Sequence, residues 1–274
     1  MNLVAETAAW LTNPAQWAGQ AGIPNRLLEH VLIASISLAA ALLLALPAGL
    51  AIGHTGRGAG LAAGVANLGR SLPSLAVIAL AIPVTVRIDP VLGGSVLPTL
   101  VAMVVLAVPP ILVNAYTGVA EVDRDLVEAG RGMGMREREI LLGIELPVAL
   151  PVVLGGVRSA AVQIIATATL GAIFGSGGLG RFLVDGIAQN DDGQVFGGVL
   201  LVATLALATE AAIEILQRLA RSKGAENAAS PASAIAPGPP VLRVCSRPAQ
   251  QAEWHWGQGR RAVAQCGLGK TSDD

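Results

Sequence analysis

The chain has 274 residues, of which 53% are hydrophobic and only 14% charged, with a mean hydropathy of +0.62. A soluble domain carries roughly a quarter charged residues, and here the apolar residues are gathered into long runs, which excludes a soluble core and points to an integral membrane protein. A net charge of −1 gives no argument for a nucleic-acid partner.

Residues 1–26 hold Trp10, Trp17, Pro14 and Pro24 and read as an external or interfacial segment with the Trp rings near the headgroups. No basic region precedes an apolar core there, so a cleaved signal peptide is not expected. A span needs about 20 apolar residues. About five stretches qualify within a transmembrane domain of residues 27–220, at 27–53, 61–86, 96–119, 148–174 and 195–219. The second has Arg70 and Pro73 near its start, and the third holds Pro109 and Pro110. Only 3% of the chain is aromatic, and the abundance of Ala, Leu, Val and Gly suits closely packed membrane helices. Residues 221–274 lose the apolar pattern and read as a disordered cytoplasmic tail. Both cysteines, Cys245 and Cys266, fall in that tail, and His30, His54 and His255 are scattered, so no metal site is expected. Residues 264–271 loosely fit a phosphate-binding loop, but the strand and helix such a loop needs are not foreseen around them.

Between the third and fourth spans lies a polar island, Glu121–Pro147. It contains Glu128, Ala129 and Gly130, then Gly134, then Ile144, Leu146 and Pro147, which reads E-A-G-x3-G-x9-I-x-L-P. Asp123–Met133 has helix-forming character with acids at its start. Gly132 and Gly134 permit a sharp turn, Arg136–Gly143 can begin a second helix, and Leu146 and Pro147 open the fourth span. Met133 and Met135 are soft apolar knobs beside the turn. Without the spacing, this segment would read as a solvated loop, and Glu128 alone is equally an exposed helix acid.

That spacing resembles the EAA loop of bacterial ABC importer permeases, with Gly130 where the family usually has Ala. The resemblance implies an all-α integral membrane protein of the MetI-like permease architecture, with about five transmembrane helices and a cytoplasmic helix-turn-helix coupling loop. It gives Glu128, Ala129, Gly130, Gly134, Ile144, Leu146 and Pro147 a role in coupling to an ATPase. Two further stretches look like the osmoprotectant (glycine betaine, choline, carnitine) branch. Arg70–Ala76 resembles its T-I-P-S-L-A segment, and Thr167–Gly180 resembles its T-A-T-L-A-A-x-I-G-A-G-G-L-G segment. Methionine-importer permeases share the EAA loop and the Gly-Gly-Leu-Gly turn, so methionine stands as an alternative solute. The implied partners are an ABC ATPase subunit that binds the ATP, a periplasmic or lipid-anchored substrate-binding protein, a second permease subunit (the same chain or a paralogue) and membrane lipid. The permease itself would need no cofactor and do no bond chemistry.

Gly175, Gly177, Gly178, Leu179 and Gly180 must form a tight turn at the outer face, either an outer gate or docking surface or simply a flexible loop. The Lys and Arg bias places the polar island inside with Arg57, Arg124, Arg131, Arg136, Arg138 and Arg218, against Arg26, Arg87 and Arg181 outside. The N-terminus is then outside and the C-terminus cytoplasmic, in a cell inner membrane. Candidates for a solute path are Pro73, Ser74, Asn114, Arg158 and Glu210, with Tyr116, Gln163 and Thr167 as further polar residues in the spans. Arg158 and Glu210 lie at similar depth from the cytoplasm and could pair, or Arg158 could snorkel while Glu210 belongs with Glu214–Arg218. The small-residue pairs Gly49/Gly53 and Gly60/Gly64 suit helix packing between subunits or within one. An ion-coupled secondary transporter would need an internal repeat, and none is visible.

Overall fold

The computed structural model describes residues 2–229, with the backbone alone at 68, 70 and 220–229. Cys245, Cys266, His255 and the loop-like stretch 264–271 lie outside the described residues. The described chain is all helical. In order it forms α1 Leu3–Thr12, α2 Ile23–Thr55, α3 Ala59–Ser71, α4 Ser74–Ile88, α5 Val96–Ala120, α6 Arg124–Gly132, α7 Glu137–Ile140, α8 Leu146–Gly171, α9 Gly180–Gln189 and α10 Asp192–Ala229.

Four helical stretches are long and apolar enough to cross a membrane: Ile23–Thr55, Val96–Ala120, Glu137–Phe174 and Asp192–Leu219. The span expected at 61–86 is broken. Helix α3 stops at Ser71, Leu72 and Pro73 are extended, and the apolar α4 starts at Ser74. The cause is Pro73, which cannot donate to the helix ladder and biases Leu72 away from helical backbone. Pro47, Pro83, Pro109 and Pro110 lie inside helices without ending them, since neighbouring helices can satisfy the freed carbonyls.

Helix α5 is the centre of the bundle, packed against α2 on one side and α8 on the other. Ala102, Met103, Ala107, Ile111 and Ala115 are fully enclosed on it. The close approach is made by glycines. A Cβ on Gly49 would sit 2.7 Å from the Cβ of Ala115, and one on Gly53 2.7 Å from the Cβ of Val119. This first pair is therefore used within the subunit, against α5. A Cβ built on Gly60 or Gly64 of α3 would meet no other part of the described chain within 4 Å.

The N-terminal segment differs from its sequence reading at Trp10. Its ring is 7% exposed and meets Phe182 edge-on at 5.1 Å, in space left by Gly197 of α10. Trp17 stays exposed and donates its indole N–H to the carbonyl of Leu11 at 2.7 Å. Burying this ring against α9 and α10 removes apolar area from water, while its indole N–H finds no partner among the described residues.

Candidate functional site

The polar island forms a helical elbow. Asp123 caps α6, its carboxylate accepting from the Asp125 N–H at 3.0 Å. The helix ends in a Schellman turn. The N–H of Gly134 donates to the carbonyl of Arg131 at 2.9 Å, and that of Met135 to Gly130 at 3.1 Å. This requires a left-handed residue, and Gly134 supplies it with φ of +82°. Gly132 remains inside α6, so the turn rests on Gly134 alone. Arg131 forks onto Glu137 across the elbow at 3.0 and 3.1 Å. The guanidinium holds the Glu137 carboxyl below the usual carboxylate range. This exposed brace is therefore complete at neutral pH and is lost only as the pH falls through that lowered value.

Beyond the elbow the structure departs from a separate surface helix. α7 runs through a π-turn, Leu141–Glu145, directly into α8. The N–H of Leu146 reaches back to the carbonyl of Leu141, five residues earlier. The wider turn accommodates Pro147, which has no N–H for the regular ladder. The second arm of the elbow is thus the first part of the fourth span.

Gly130, Ile140 and Ile144 close the inside of the elbow. Gly130 is buried, and a Cβ there would lie 2.8 Å from Cδ1 of Ile144 and 3.5 Å from Sδ of Met135. Ile144 thereby fills the room that alanine would take. Because its δ-methyl can swing aside, Gly130→Ala should leave transport within about twofold of the parent and stabilise α6 by up to about 1 kcal/mol through helix propensity. Uptake and thermal unfolding of the variant check this. Met135 is turned toward Gly130, whereas Met133 is 75% exposed, and Leu126 and Leu142 are exposed as well. Glu128 lies on the wall of a cavity of about 330 Å³ beneath α6.

Two residues that sequence reasoning did not connect hold the elbow to the bundle. His54, in the last turn of α2, points Nδ1 at Glu145 at 2.6 Å and Nε2 at Glu137 at 3.1 Å. Glu145 is buried, while Glu137 is exposed. The only sequence signal was Glu145 itself, an acid in the variable position of the I-x-L-P stretch.

At the other end of α8 lies the glycine turn. Gly175, Gly177 and Gly178 have φ of +85°, +82° and +73°. The turn is latched rather than loose. Glu29 accepts from the Gly178 N–H at 2.9 Å and from Arg26 at 2.8 Å, and the buried His30 accepts at Nδ1 from the Leu179 N–H at 3.3 Å. His30 Nε2 faces the Ile165 carbonyl at 3.2 Å, which fixes its proton there. Gly180 starts α9 tightly against Thr169 and Ala172 of α8 and its extension.

The remaining candidates separate into two places. Ser74, Asn114 and Gln163 line one cavity beside the break at Pro73, whereas Tyr116 and Thr167 do not, and the Thr167 hydroxyl is spent on the Gln163 carbonyl at 2.8 Å. Arg158 lies elsewhere, 3.4 Å from Glu210 and 3.8 Å from Glu214 on α10. Glu214 also holds Arg218 at 2.6 Å. Arg158→Glu should lower uptake about tenfold, because it gathers like charge inside the membrane domain. Combining it with Glu210→Arg should recover most of the loss. A double variant no better than either single one would show that the contact does not matter for transport.

Among the described residues no group of acids, histidines or cysteines could hold a metal ion. Long apolar helices packed around α5, with a polar helical elbow on one of them, define a multi-pass membrane protein. Residues 31–222 match the family described as binding-protein-dependent transport system inner membrane component, and the chain belongs to that family. It is 34% identical to the glycine betaine/carnitine/choline transport system permease protein OpuCB of Bacillus subtilis (strain 168), over 72% of this chain and 87% of that one. It is 35% identical to the choline transport system permease protein OpuBB of the same organism, over 69% of this chain and 84% of the relative. It is 33% identical to the osmoprotectant import permease protein OsmW of Salmonella typhimurium, over 72% and 90%. An inward-facing structure of the MetNI methionine ABC transporter overlays with a TM-score of 0.65 at 21% identity, covering 76% of this chain and 99% of that one. At that identity the likeness concerns the fold.

Proposed function

We propose that this chain is the permease subunit of an ATP-driven importer for small quaternary-ammonium osmoprotectants such as glycine betaine, choline or carnitine. The observation that carries the reading is identity of 33–35% across most of the length of permeases named for those solutes. The methionine transporter is like this chain at the level of fold only, which favours osmoprotectants over methionine. An ABC ATPase subunit, which binds the ATP, docks on the elbow. The exposed Leu126, Met133 and Leu142 supply an apolar surface for it, and Glu128, Ala129 and Gly130 belong to the arm it grips. A substrate-binding protein, periplasmic or lipid-anchored, meets the face that carries the latched turn at Gly175–Gly180. A second permease subunit completes the path, and the open face of α3 at Gly60 and Gly64 is available to it. The protein sits in the cell's inner membrane, with its N-terminus outside and its C-terminus in the cytoplasm, as the Lys and Arg bias favours.

The test is uptake of radiolabelled glycine betaine, choline, carnitine and methionine in cells lacking their own carriers, with the chain expressed beside its ATPase and binding protein. ATP-dependent uptake of at least one osmoprotectant is expected. Uptake that survives inactivation of the ATPase, or uptake of methionine alone, overturns the reading.

A further inference from the structure

The two contacts of His54 set a condition on its protons. Nδ1 lies 2.6 Å from Oε2 of Glu145, and Nε2 lies 3.1 Å from Oε2 of Glu137. A carboxylate only accepts hydrogen bonds, and a neutral imidazole carries a single N–H. A neutral ring would therefore turn a lone pair on one of the two acids. Both contacts are hydrogen bonds at once when the ring carries two protons and a positive charge. The fork from Arg131 keeps Glu137 a carboxylate. Between the ring and the buried Glu145, imidazole is the stronger base and takes the proton. The other charged side chains on the cavity wall beside His54 are Arg124, Glu128 and Arg131, all from α6. Among the described residues, the ends of α2 and α5 add no further charge to that wall. Arg131 is engaged by Glu137, and Arg124 and Glu128 offset each other, so the two acids at the ring decide its charge.

Resting on the permease reading above, we infer that His54 is a positioning residue that acts as an imidazolium, a proton-held strap between the end of α2 and the second arm of the elbow. The push of the ATPase on the elbow is delivered in full only while that proton is bound. The strap is complete at lower pH, and one of its two bonds is lost as the pH rises and the ring gives up its second proton. The bond given up is the one to Glu137. Glu145 is buried, where water cannot replace a lost donor, so the remaining N–H stays on it. Glu137 is exposed and keeps Arg131. α7 then comes free of α2, while the π-turn stays tied through Glu145. The joint between the ATPase and the spans is slacker in that state, and less solute moves for each ATP hydrolysed.

Two measurements test this. In the complete importer reconstituted in vesicles, with the pH varied only on the side of the ATPase, glycine betaine moved per ATP hydrolysed should fall about threefold from about pH 6 to about pH 8.5, across which imidazole loses its charge. Glu137→Gln should flatten the fall, because a carboxamide donates to a bare ring nitrogen as readily as it accepts from a protonated one. Arg131→Gln removes the brace but no proton that leaves in this range, and should keep the fall. A flat profile in the parent, an equal fall in Glu137→Gln, or a fall abolished by Arg131→Gln overturns the strap. The second measurement needs no transport. In the full chain carrying nitrogen-15 histidine, the His54 ring signals are assigned with His54→Gln, whose carboxamide can still meet Glu145. Both ring nitrogens should be protonated at about pH 7, and Glu137→Gln should hold the second proton about tenfold more weakly. A ring with one proton at that pH, or a second proton held equally in both chains, overturns the inference. Should the parent importer move no osmoprotectant, the permease reading fails, and the ring signals still judge the strap.

Discussion

Replacing His54 with alanine is expected to give the largest loss of any single change at the elbow, about 3–5 kcal/mol of stability together with loss of transport. The reason is burial. Glu145 is 5% exposed and its carboxylate has the imidazole of His54 at 2.6 Å. Without that ring the acid loses the one side-chain hydrogen bond it makes among the described residues, and breaking a buried pair by removing one partner costs far more than the pair contributes. The other contact of His54 is a contrast. Glu137 is exposed and braced by Arg131, so Glu137→Ala should barely move the unfolding temperature. A second change separates stability from function. Adding Glu145→Leu to His54→Ala removes the stranded acid and should restore much of the lost stability. Transport should stay low, because the tie between the end of α2 and the elbow is still missing. Thermal unfolding in detergent and solute uptake read the two quantities. If His54→Ala unfolds at the parent temperature, the tether has no mechanical weight.

The second large effect is expected at the opposite end of α8. Gly178→Val should reduce uptake more than tenfold through two independent penalties. A β-branched residue at φ of +73° pays about 1–2 kcal/mol for left-handed backbone. Its Cβ would also sit 3.0 Å from Nδ1 and 3.3 Å from Cβ of the enclosed His30, where overpacking costs about 1–3 kcal/mol. Gly175 is the control. It has a similar φ of +85°, but its nearest neighbour would be Ser95 Cβ at 3.7 Å, an ordinary contact. Asparagine tolerates left-handed backbone, so Gly175→Asn should transport close to the parent, whereas Gly178→Asn still meets His30 and should not. Equal behaviour of the two asparagine variants would mean that the latch on α2 plays no part.

Much of this architecture was legible in the chain because hydropathy and fixed spacing are local signals. Four of the apolar stretches became long helices, and the Gly134 turn fell where the motif put it. The break at Pro73 was visible as a residue but not as a consequence, since Pro109 and Pro110 lie inside α5 without ending it. Whether a proline breaks a membrane helix depends on what its neighbours offer the freed carbonyls. The continuity of α7 with α8 was hidden by Pro147, which reads as a boundary and instead sits beyond a π-turn. Partners distant in sequence were the least legible. Nothing in the order of residues links His54 to Glu145, or Glu29 and His30 to Gly178 and Leu179. Trp10 carried a similar lesson, because its burial depends on a glycine far along the chain, Gly197. Arg158 and Glu210 were foreseen only as one of two readings, and the structure puts Arg158 within 4 Å of both Glu210 and Glu214.

The unbroken run from Glu137 to Phe174 makes one rod of 38 residues, about 57 Å long at 1.5 Å per residue. Its near tip is the elbow, its far tip the glycine latch, and partway along it Gly156 presses against Asn114 so closely that a methyl group would be 2.6 Å from that residue's Cβ. One continuous helix joins the two tips, so a push at the elbow is expected to be carried to the Glu29–His30 clasp at the other end.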